Sequence, residues 1–373
     1  MRAPPRATPA GLRQALLRWF DRHKRDLPWR RSRDPYAIWV SEVMLQQTQV
    51  ATVIPYWHRF LERFPTVESL AAAELPDVFA QWRGLGYYTR ARNLHRAARE
   101  IAARHGGRLP STAEELLSLP GFGRYTAGAV ASIAFGEEAP LVDGNVARVL
   151  ARLFELEGAP GDRAREKRLW QLAARLVRGA RPGDFNQALM ELGATVCRSE
   201  DPSCPACPLS RGCGALSANR VSELPPPRIR ATKRFLRMAV AVWWRDQALL
   251  HARRAEGGLF GGLWELPSVE IAPDAAHPAI EHAMRALLGP VRLGEPVGTV
   301  KRTLTHRSLT LDLFEVRGRG HPARAEAVQE WRWVRPGEAE ALGMSTAMQR
   351  AAEFAWNAFT LGATSRERSR VAG

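Results

Sequence analysis

Cys197, Cys204, Cys207 and Cys213 stand in the spacing C-x6-C-x2-C-x5-C, and the 373-residue chain has no other cysteine. Four thiolates this close together can wrap one metal centre, either zinc or an iron–sulfur cluster. Four-thiolate zinc sites usually come as two C-x2-C knuckles. This chain has one such pair, and its uneven spacing suits a cubane cluster better. Two disulfides are the competing arrangement. The chain shows no secretory signal and is long enough to fold without staples, which argues against them.

Two carboxylates form a second candidate set. Glu42 falls in a predicted helix over Tyr36–Gln46, with Asp34 as N-cap and Pro35 at the first helical position. Its neighbours Ile38, Trp39, Val43, Met44 and Leu45 are apolar. Burying an ionised carboxylate among them is costly, so its pKa should rise and make it a general acid at neutral pH. A solvated helix glutamate is the blander alternative. Asp143 precedes Gly144-Asn145 and a helix rich in Val, Leu and Arg, the pattern of an N-cap. Backbone N–H groups on its oxygens would keep it ionised. One protonated and one ionised carboxylate form the division of labour that breaks a glycosidic bond through an oxocarbenium-like state.

The elements that must position these groups are helical up to about residue 225. Apolar residues recur at helical spacing in Gly11–His23, Tyr36–Gln46, Val50–Arg63, Tyr88–His105, Arg124–Phe135 and Arg163–Arg178. Residues 116–135 read as helix, Pro120-Gly121-Phe122-Gly123 turn, helix. The glycines permit tight backbone geometry and leave N–H groups uncovered at a helix start, where a phosphate can bind. Ala127, Gly128 and Ala131 keep the second helix thin. This is the pattern of a helix-hairpin-helix DNA grip, an ordinary helical hairpin being the alternative. The stiff basic segment Leu224–Arg230 follows. Beyond it, Phe235–Trp244, Ala248–Ala252 and Leu309–Val316 alternate like strands, and Pro278–Leu288 and Ser345–Phe359 read as helices. The expected fold is multidomain: an all-α helix-hairpin-helix domain with a cysteine loop, then an α+β domain. The expected segments are a flexible tail at 1–10, a helical domain at 11–222 with the hairpin at 116–135 and the cysteine loop at 197–213, a linker at 223–234, a C-terminal domain at 235–362 and a tail at 363–373.

The net charge of +16 on such a chain points to a polyanion, most simply nucleic acid. The basic residues are nearly all Arg, with four Lys, a bias that GC-rich coding also produces. No apolar run approaches the roughly 20 residues of a membrane span. The expected setting is a reducing, bacterial cytoplasm at the nucleoid, with double-stranded DNA as partner, no membrane and a monomeric chain.

The hairpin and the cysteine loop together resemble the base-excision DNA glycosylases of the helix-hairpin-helix superfamily that carry a [4Fe–4S] cluster. The strings LPWR (27–30), SEVMLQQTQVATVIPYW (41–57), GLGYYTRARNLH (84–95), LPGFGRYTAGA (119–129) and VDGNVARVLAR (142–152) resemble the MutY-type adenine DNA glycosylases. The resemblance runs nearly continuously over residues 12–215 and more weakly to about 360. It implies removal of adenine mispaired with 8-oxoguanine or guanine, with a [4Fe–4S] cofactor on the four cysteines. Glu42 then protonates the adenine ring, Asp143 supports the sugar cation, and Tyr125 and Asn145 sit against the reacting sugar and Asp143. Glu191 reads the extruded adenine, Arg25, Trp29 and Arg30 belong to the base pocket, and Gln47 and Tyr87 wedge into the duplex. Gly121 and Gly123 hold the DNA backbone. Extrusion is required because the reactive atoms are inaccessible inside the stack.

Position 125 separates two chemistries. Related glycosylase-lyases carry a lysine there whose amine attacks the sugar. Here it is Tyr125, position 147 is Ala147, and no lysine lies in residues 25–166. The expected enzyme is therefore monofunctional and leaves an abasic site. Gly258–Pro267 resembles the opening of a Nudix domain, but no glutamate-rich metal-binding helix follows; Glu270 and Glu281 stand alone. Nucleotide hydrolysis is thus not expected there. The resemblance implies 8-oxoguanine recognition, at Leu304, Thr305 and His306 where the family often has Phe-Ser-His. Leu304 also reads as a packing residue, and Thr305 and His306 as strand-edge residues. Trp243-Trp244 and Trp331-Arg332-Trp333 read as sheet packing. A glycosylase-lyase for oxidised pyrimidines, a non-catalytic cluster-bearing DNA sensor and a nucleotide-pool hydrolase are the rival readings; Tyr125, the Glu42–Asp143 pair and the missing metal-binding helix count against them in turn.

Overall fold

The computed structural model describes residues 8–227, 233–304, 307–318, 322 and 325–371. The chain divides into two compact units. One comprises residues 1–72 and 93–230, the other residues 73–92 and 231–373.

The first unit is helical, and local chemistry sets its helix starts. Helix Pro9–His23 begins where Thr8 Oγ1 accepts from Gly11 N, helix Pro35–Leu45 where Asp34 accepts from Tyr36 N and Ala37 N. Helix Gly144–Leu153 is capped by Asp143 and helix Arg163–Leu176 by Asp162. Helices Pro9–His23, Gly144–Leu153, Arg163–Leu176 and Pro182–Thr195 bury Leu16, Phe20, Leu150, Leu169, Phe185 and Leu192 in one cluster. Gly121 turns the hairpin with φ 78°, and a Cβ on it would lie 2.5 Å from Asn93 Cβ. Helix Arg124–Phe135 then starts at Gly123, whose lack of a side-chain cap leaves the first-turn N–H groups open. Gly128 lets that helix sit against the Pro140 carbonyl oxygen, where a Cβ would collide.

The second unit contains a seven-stranded sheet: β1 (Arg234–Arg245), β2 (Ala248–Arg254), β3 (Trp264–Glu265), β4 (Ser268–Ile271), β5 (Arg292–Thr303), β6 (Arg307–Arg317) and β7 (Val328–Val334). The main path runs β3-β2-β1-β6-β5, with β4 on β1 and β7 on β2. Only β1 and β6 among the described pairs run parallel. Alternation along β1 splits the core. Leu236, Met238, Val240 and Val242 face helix Thr346–Val371 through Ala347, Met348 and Ala351, while Ala239, Ala241 and Trp243 face helix His277–Leu288 through Ile280, Met284 and Leu287. Trp243 meets Trp333 edge to face at 5.7 Å, and Trp331 packs on the same cluster, so these tryptophans are sheet packing, as their pattern predicts. Helix His277–Leu288 carries one carboxylate, Glu281, which pairs with Arg285.

Three boundaries differ from the sequence expectation. The stretch expected as a tail at 1–10 enters helix at Pro9, because Thr8 caps it. Residues 363–371 continue the last helix, since nothing after Gly362 breaks it. The expected linker start at 223 still packs on the helical unit: Leu224 is buried and its carbonyl accepts from Arg152 Nε at 2.7 Å. No described helix is long and apolar enough to cross a membrane.

Gly128→Val should lower stability by about 1–3 kcal/mol, the scale of overpacking against a backbone atom. Gly123→Ala, with nothing within 4 Å of its added Cβ, should melt as wild type. Thermal melting of both variants checks the pair.

Candidate active site

Glu42 is 4% exposed at the middle of helix Pro35–Leu45, whose residues from Tyr36 to Met44 are all buried. No face of that helix meets water, so the side chain points into a cavity of about 250 Å³ instead. Asp143, Asn145, Tyr125, Trp29, Arg25, Arg30 and Glu191 line the same cavity. Residues spread over more than 160 positions of sequence are thus brought to one hollow by packing helices.

Burial is the main force on Glu42 and pushes its pKa up to about 7. The Tyr125 hydroxyl, donating to Glu42 Oε2 at 2.6 Å, opposes this, and the nearby charge of Asp143 adds to it. Tyr125 also reaches Met190 Sδ at 3.5 Å. Asp143 accepts from Val146 N at 2.7 Å and from Asn145 Nδ2 at 3.1 Å. Its pKa is nonetheless raised, because burial outweighs those donors. The sequence expectation counted the cap donors and missed the depth of the site. The two carboxyls differ still: Glu42 sits at about 7, and only Asp143 is capped by backbone N–H.

Glu191 shows the opposite balance. Burial alone would raise its pKa, but it falls to about 2 because Arg25 and Arg30 hold the ionised form. Oε1 accepts from Arg25 N and Nε at 3.1 and 2.7 Å, and Oε2 from Arg25 Nη2 and Arg30 Nη2 at 2.9 and 2.8 Å. Arg30 Nε also donates to Gln187 at 3.2 Å. Trp29 is buried edge to face with Trp57 at 6.1 Å. The two residues expected to wedge into the duplex are not among those that line the cavity. Gln47 is exposed on the loop after Glu42's helix with φ 58°, outside the cavity lining. Tyr87 belongs to the second unit, 42% exposed with φ 50°.

Arg148 is a residue that sequence reasoning missed. Its Nη2 donates to Asn145 Oδ1 and to Gly193 O, both at 2.8 Å, and its Nε to Cys197 O at 2.8 Å. The signal was present: an arginine one helical turn beyond Asn145 shares its face. Arg152, one turn further, is 3% exposed, with Nη1 2.6 Å from Arg198 O and 3.5 Å from Cys197 Sγ.

All four cysteines line one small pocket with Arg152. Burial pushes the Cys207 thiol up to about 12 and raises that of Cys213, with the neighbouring cysteines adding to both. Among the described residues no three His, Cys, Asp or Glu side chains converge closely enough for a single ion. Four cysteine sulfurs on one pocket are a donor set that fits either an iron–sulfur cluster or zinc. In the second unit, Leu304 N donates to Arg307 O at 2.7 Å and closes the β5–β6 hairpin; Thr305 and His306 lie outside the described residues.

Residues 40–175 match the family model of the HhH-GPD superfamily base excision DNA repair proteins, and residues 238–353 match that of the NUDIX domain. The human adenine DNA glycosylase is 40% identical over 396 residues, covering 91% of this chain and 72% of its own. The adenine DNA glycosylase of Buchnera aphidicola subsp. Acyrthosiphon pisum is 38% identical over 220 residues, covering 59% and 63%. Among solved structures, a thermostable thymine-DNA glycosylase is 31% identical with a TM-score of 0.51, covering 56% of this chain and 97% of that one.

A carboxyl whose pKa rises on folding contributes stability that is full below its unfolded value of 4.5 and is lost as pH climbs through about 7. Relative to Glu42→Gln, the wild type should therefore lose about 3 kcal/mol between about pH 4.5 and about pH 8. Melting curves of both proteins across that range test this; a constant difference would mean that Glu42 is hydrated.

Proposed function

The chain belongs to the adenine DNA glycosylase family, and on that premise we propose that it hydrolyses the N-glycosidic bond of adenine opposite 8-oxoguanine or guanine in duplex DNA. The observation that supports this best is that Glu42 and Asp143 line one cavity with Tyr125 and Asn145. An extruded adenine entering it meets a carboxyl that keeps its proton near neutral pH. Glu42 gives that proton to the adenine ring as the bond to C1′ breaks, and the electron pair leaves with the base. Asp143 stabilises the oxocarbenium-like sugar electrostatically. Water then adds its hydroxyl to C1′ and loses its proton to a carboxylate, leaving an abasic site. Tyr125 stands where a lyase would place its amine, and none of the cavity-lining residues is a lysine. Arg25, partly exposed, is the outer clamp on Glu191; its displacement frees Oε1 to accept from the adenine amino group.

The N–H groups of the first turn of helix Arg124–Phe135, which follows Gly123, take a DNA phosphate in the hairpin that Gly121 turns. Gln47 and Tyr87 enter the duplex where the base has left. Leu304, Thr305 and His306 read the purine opposite. Cys197, Cys204, Cys207 and Cys213 would hold a [4Fe–4S] cluster, which supplies a cross-link for a loop carrying Arg198 and Arg211 near the DNA backbone.

Single-turnover assays on duplexes with adenine opposite 8-oxoguanine or guanine should release adenine and leave alkali-labile sites, with no strand cleavage before alkali. Glu42→Gln should be slower by at least about a hundredfold. The wild-type rate should fall above pH about 7 as Glu42 loses its proton. A borohydride-trapped covalent complex, or an undiminished Glu42→Gln rate, would overturn this chemistry. The purified protein should be yellow-brown with a broad visible shoulder, and Cys207→Ser should lose the colour and bind duplex more weakly; a colourless wild type would favour zinc.

A further inference from the structure

Residues 73–92 group with the C-terminal sheet although about 140 residues separate them from it in sequence. Their attachment is specific. The Tyr88 hydroxyl donates to Met344 O at 2.7 Å, an oxygen that also accepts from Gln349 Nε2 at 2.8 Å. Arg83 Nη1 donates to Glu340 O at 2.8 Å, and Arg92 Nη2 to Gly261 O. Gly343 exists to admit Phe79, since a Cβ there would lie 2.5 Å from Phe79 Cβ. Gly262, at φ 74°, leaves room for Arg92, whose Nη2 would be 2.8 Å from an added Cβ. Phe79 and Tyr88 meet edge to face at 5.4 Å. Gly261 and Gly262 belong to the stretch that opens like a Nudix motif yet has no metal-binding helix behind it, so its role is otherwise unassigned.

What this attachment holds in place is Tyr87. A tyrosine at φ 50° occupies the left-handed region at a cost, and such a conformation persists only where neighbours enforce it. Here Trp82 Nε1 donates to Gly86 O at 3.1 Å, and Arg90 Nη2 donates to Leu85 O and Gly86 O, both at 3.2 Å. Arg90 lies between the rings of Trp82 and Tyr87, 5.4 Å from each centroid. The backbone on one side of Tyr87 is clamped by this arginine, and on the other side Tyr88 is pinned to Met344.

We propose that the Gly261-Gly262 loop and the segment Glu340–Met344 form a socket for residues 73–92, and that Tyr88 and Arg83 are positioning residues that aim Tyr87 at the duplex. The Nudix-like fold thereby serves as a mount for the inserting side chain. Losing the Tyr88 hydroxyl leaves the aromatic packing on Phe79 in place and removes the tie to Met344. The proposal rests on the glycosylase reading above, in which Tyr87 enters DNA.

The test is a double-mutant cycle in the full chain: Tyr88→Phe, Tyr87→Ala and the pair. Two readouts are taken on a duplex with 2-aminopurine in place of the target adenine: fluorescence, which reports base extrusion, and duplex affinity. Adenine release is measured in parallel on the natural substrate. Tyr88→Phe should reduce extrusion by about tenfold, the scale of one lost hydrogen bond, while the pH profile set by Glu42 stays in place. The double variant should extrude no worse than Tyr87→Ala, because Tyr88 acts through Tyr87. Arg83→Gln, which cuts a separate tie, should reproduce the Tyr88→Phe effect and its dependence on Tyr87. Effects that multiply in the double variant, or a Tyr88→Phe protein that extrudes as wild type, would overturn the proposal. Wild type that releases no adenine would defeat the glycosylase reading instead, and the fluorescence cycle would still report on the positioning.

Discussion

The chemistry depends on one constraint: a carboxyl group held almost entirely out of water. Glu42 sits in a helix buried on every side, so its ionisation must be met by the cavity and not by solvent. The Tyr125 hydroxyl gives partial compensation, and the neighbouring Asp143 takes some of it away. The result is a proton held near neutral pH and facing a hollow of about 250 Å³. Everything around it is consistent with that requirement. Trp29 lines the wall and is backed edge to face by Trp57, the capped start of helix Gly144–Leu153 presents Asp143, and Arg25 with Arg30 neutralises the second glutamate of the cavity.

The two buried glutamates show how environment, not residue type, assigns a role. Glu42 has one hydroxyl donor and a neighbouring carboxylate, and burial dominates. Glu191 has two arginines supplying four hydrogen bonds, and pairing dominates. One keeps its proton up to about pH 7 and the other is held ionised, in the same cavity. The basic residues of the helix after Asp143 extend this order outward. Arg148 ties Asn145 to the Cys197 carbonyl, and Arg152 is enclosed by carbonyl oxygens of the cysteine loop and of Leu224. A buried guanidinium with its donors satisfied by backbone holds a loop in one geometry, which a thiolate-held centre requires.

Much of the helical unit was legible because its signals are local. The helices over Val50–Arg63 and Arg124–Phe135 appear with the bounds that periodicity and glycine predict. The caps at Asp34 and Asp143 also follow from residue type alone. The sheet was read less completely. β5 escaped because shifts in register around Pro296 and Gly298 break its alternation, and β3 is two residues long. β4 and β7 lie off the main path of the sheet, each pairing with one strand.

Sequence by itself determined the reactive groups and their local frames: four thiols in one loop, a carboxyl on an apolar helix, a capping aspartate, a tyrosine in place of an amine. These depend on neighbours within a turn or two of backbone, which a linear pattern records. Tertiary structure alone decided what those groups face. It set Arg25 and Arg30 on Glu191, lifted Asp143 by burial against its cap, and gave residues 73–92 to the C-terminal unit. An apolar stripe on a short helix says that a surface must be covered and not which surface will cover it. Partner choice is a property of packed volumes and of donors meeting acceptors across long stretches of chain, and no local pattern carries it.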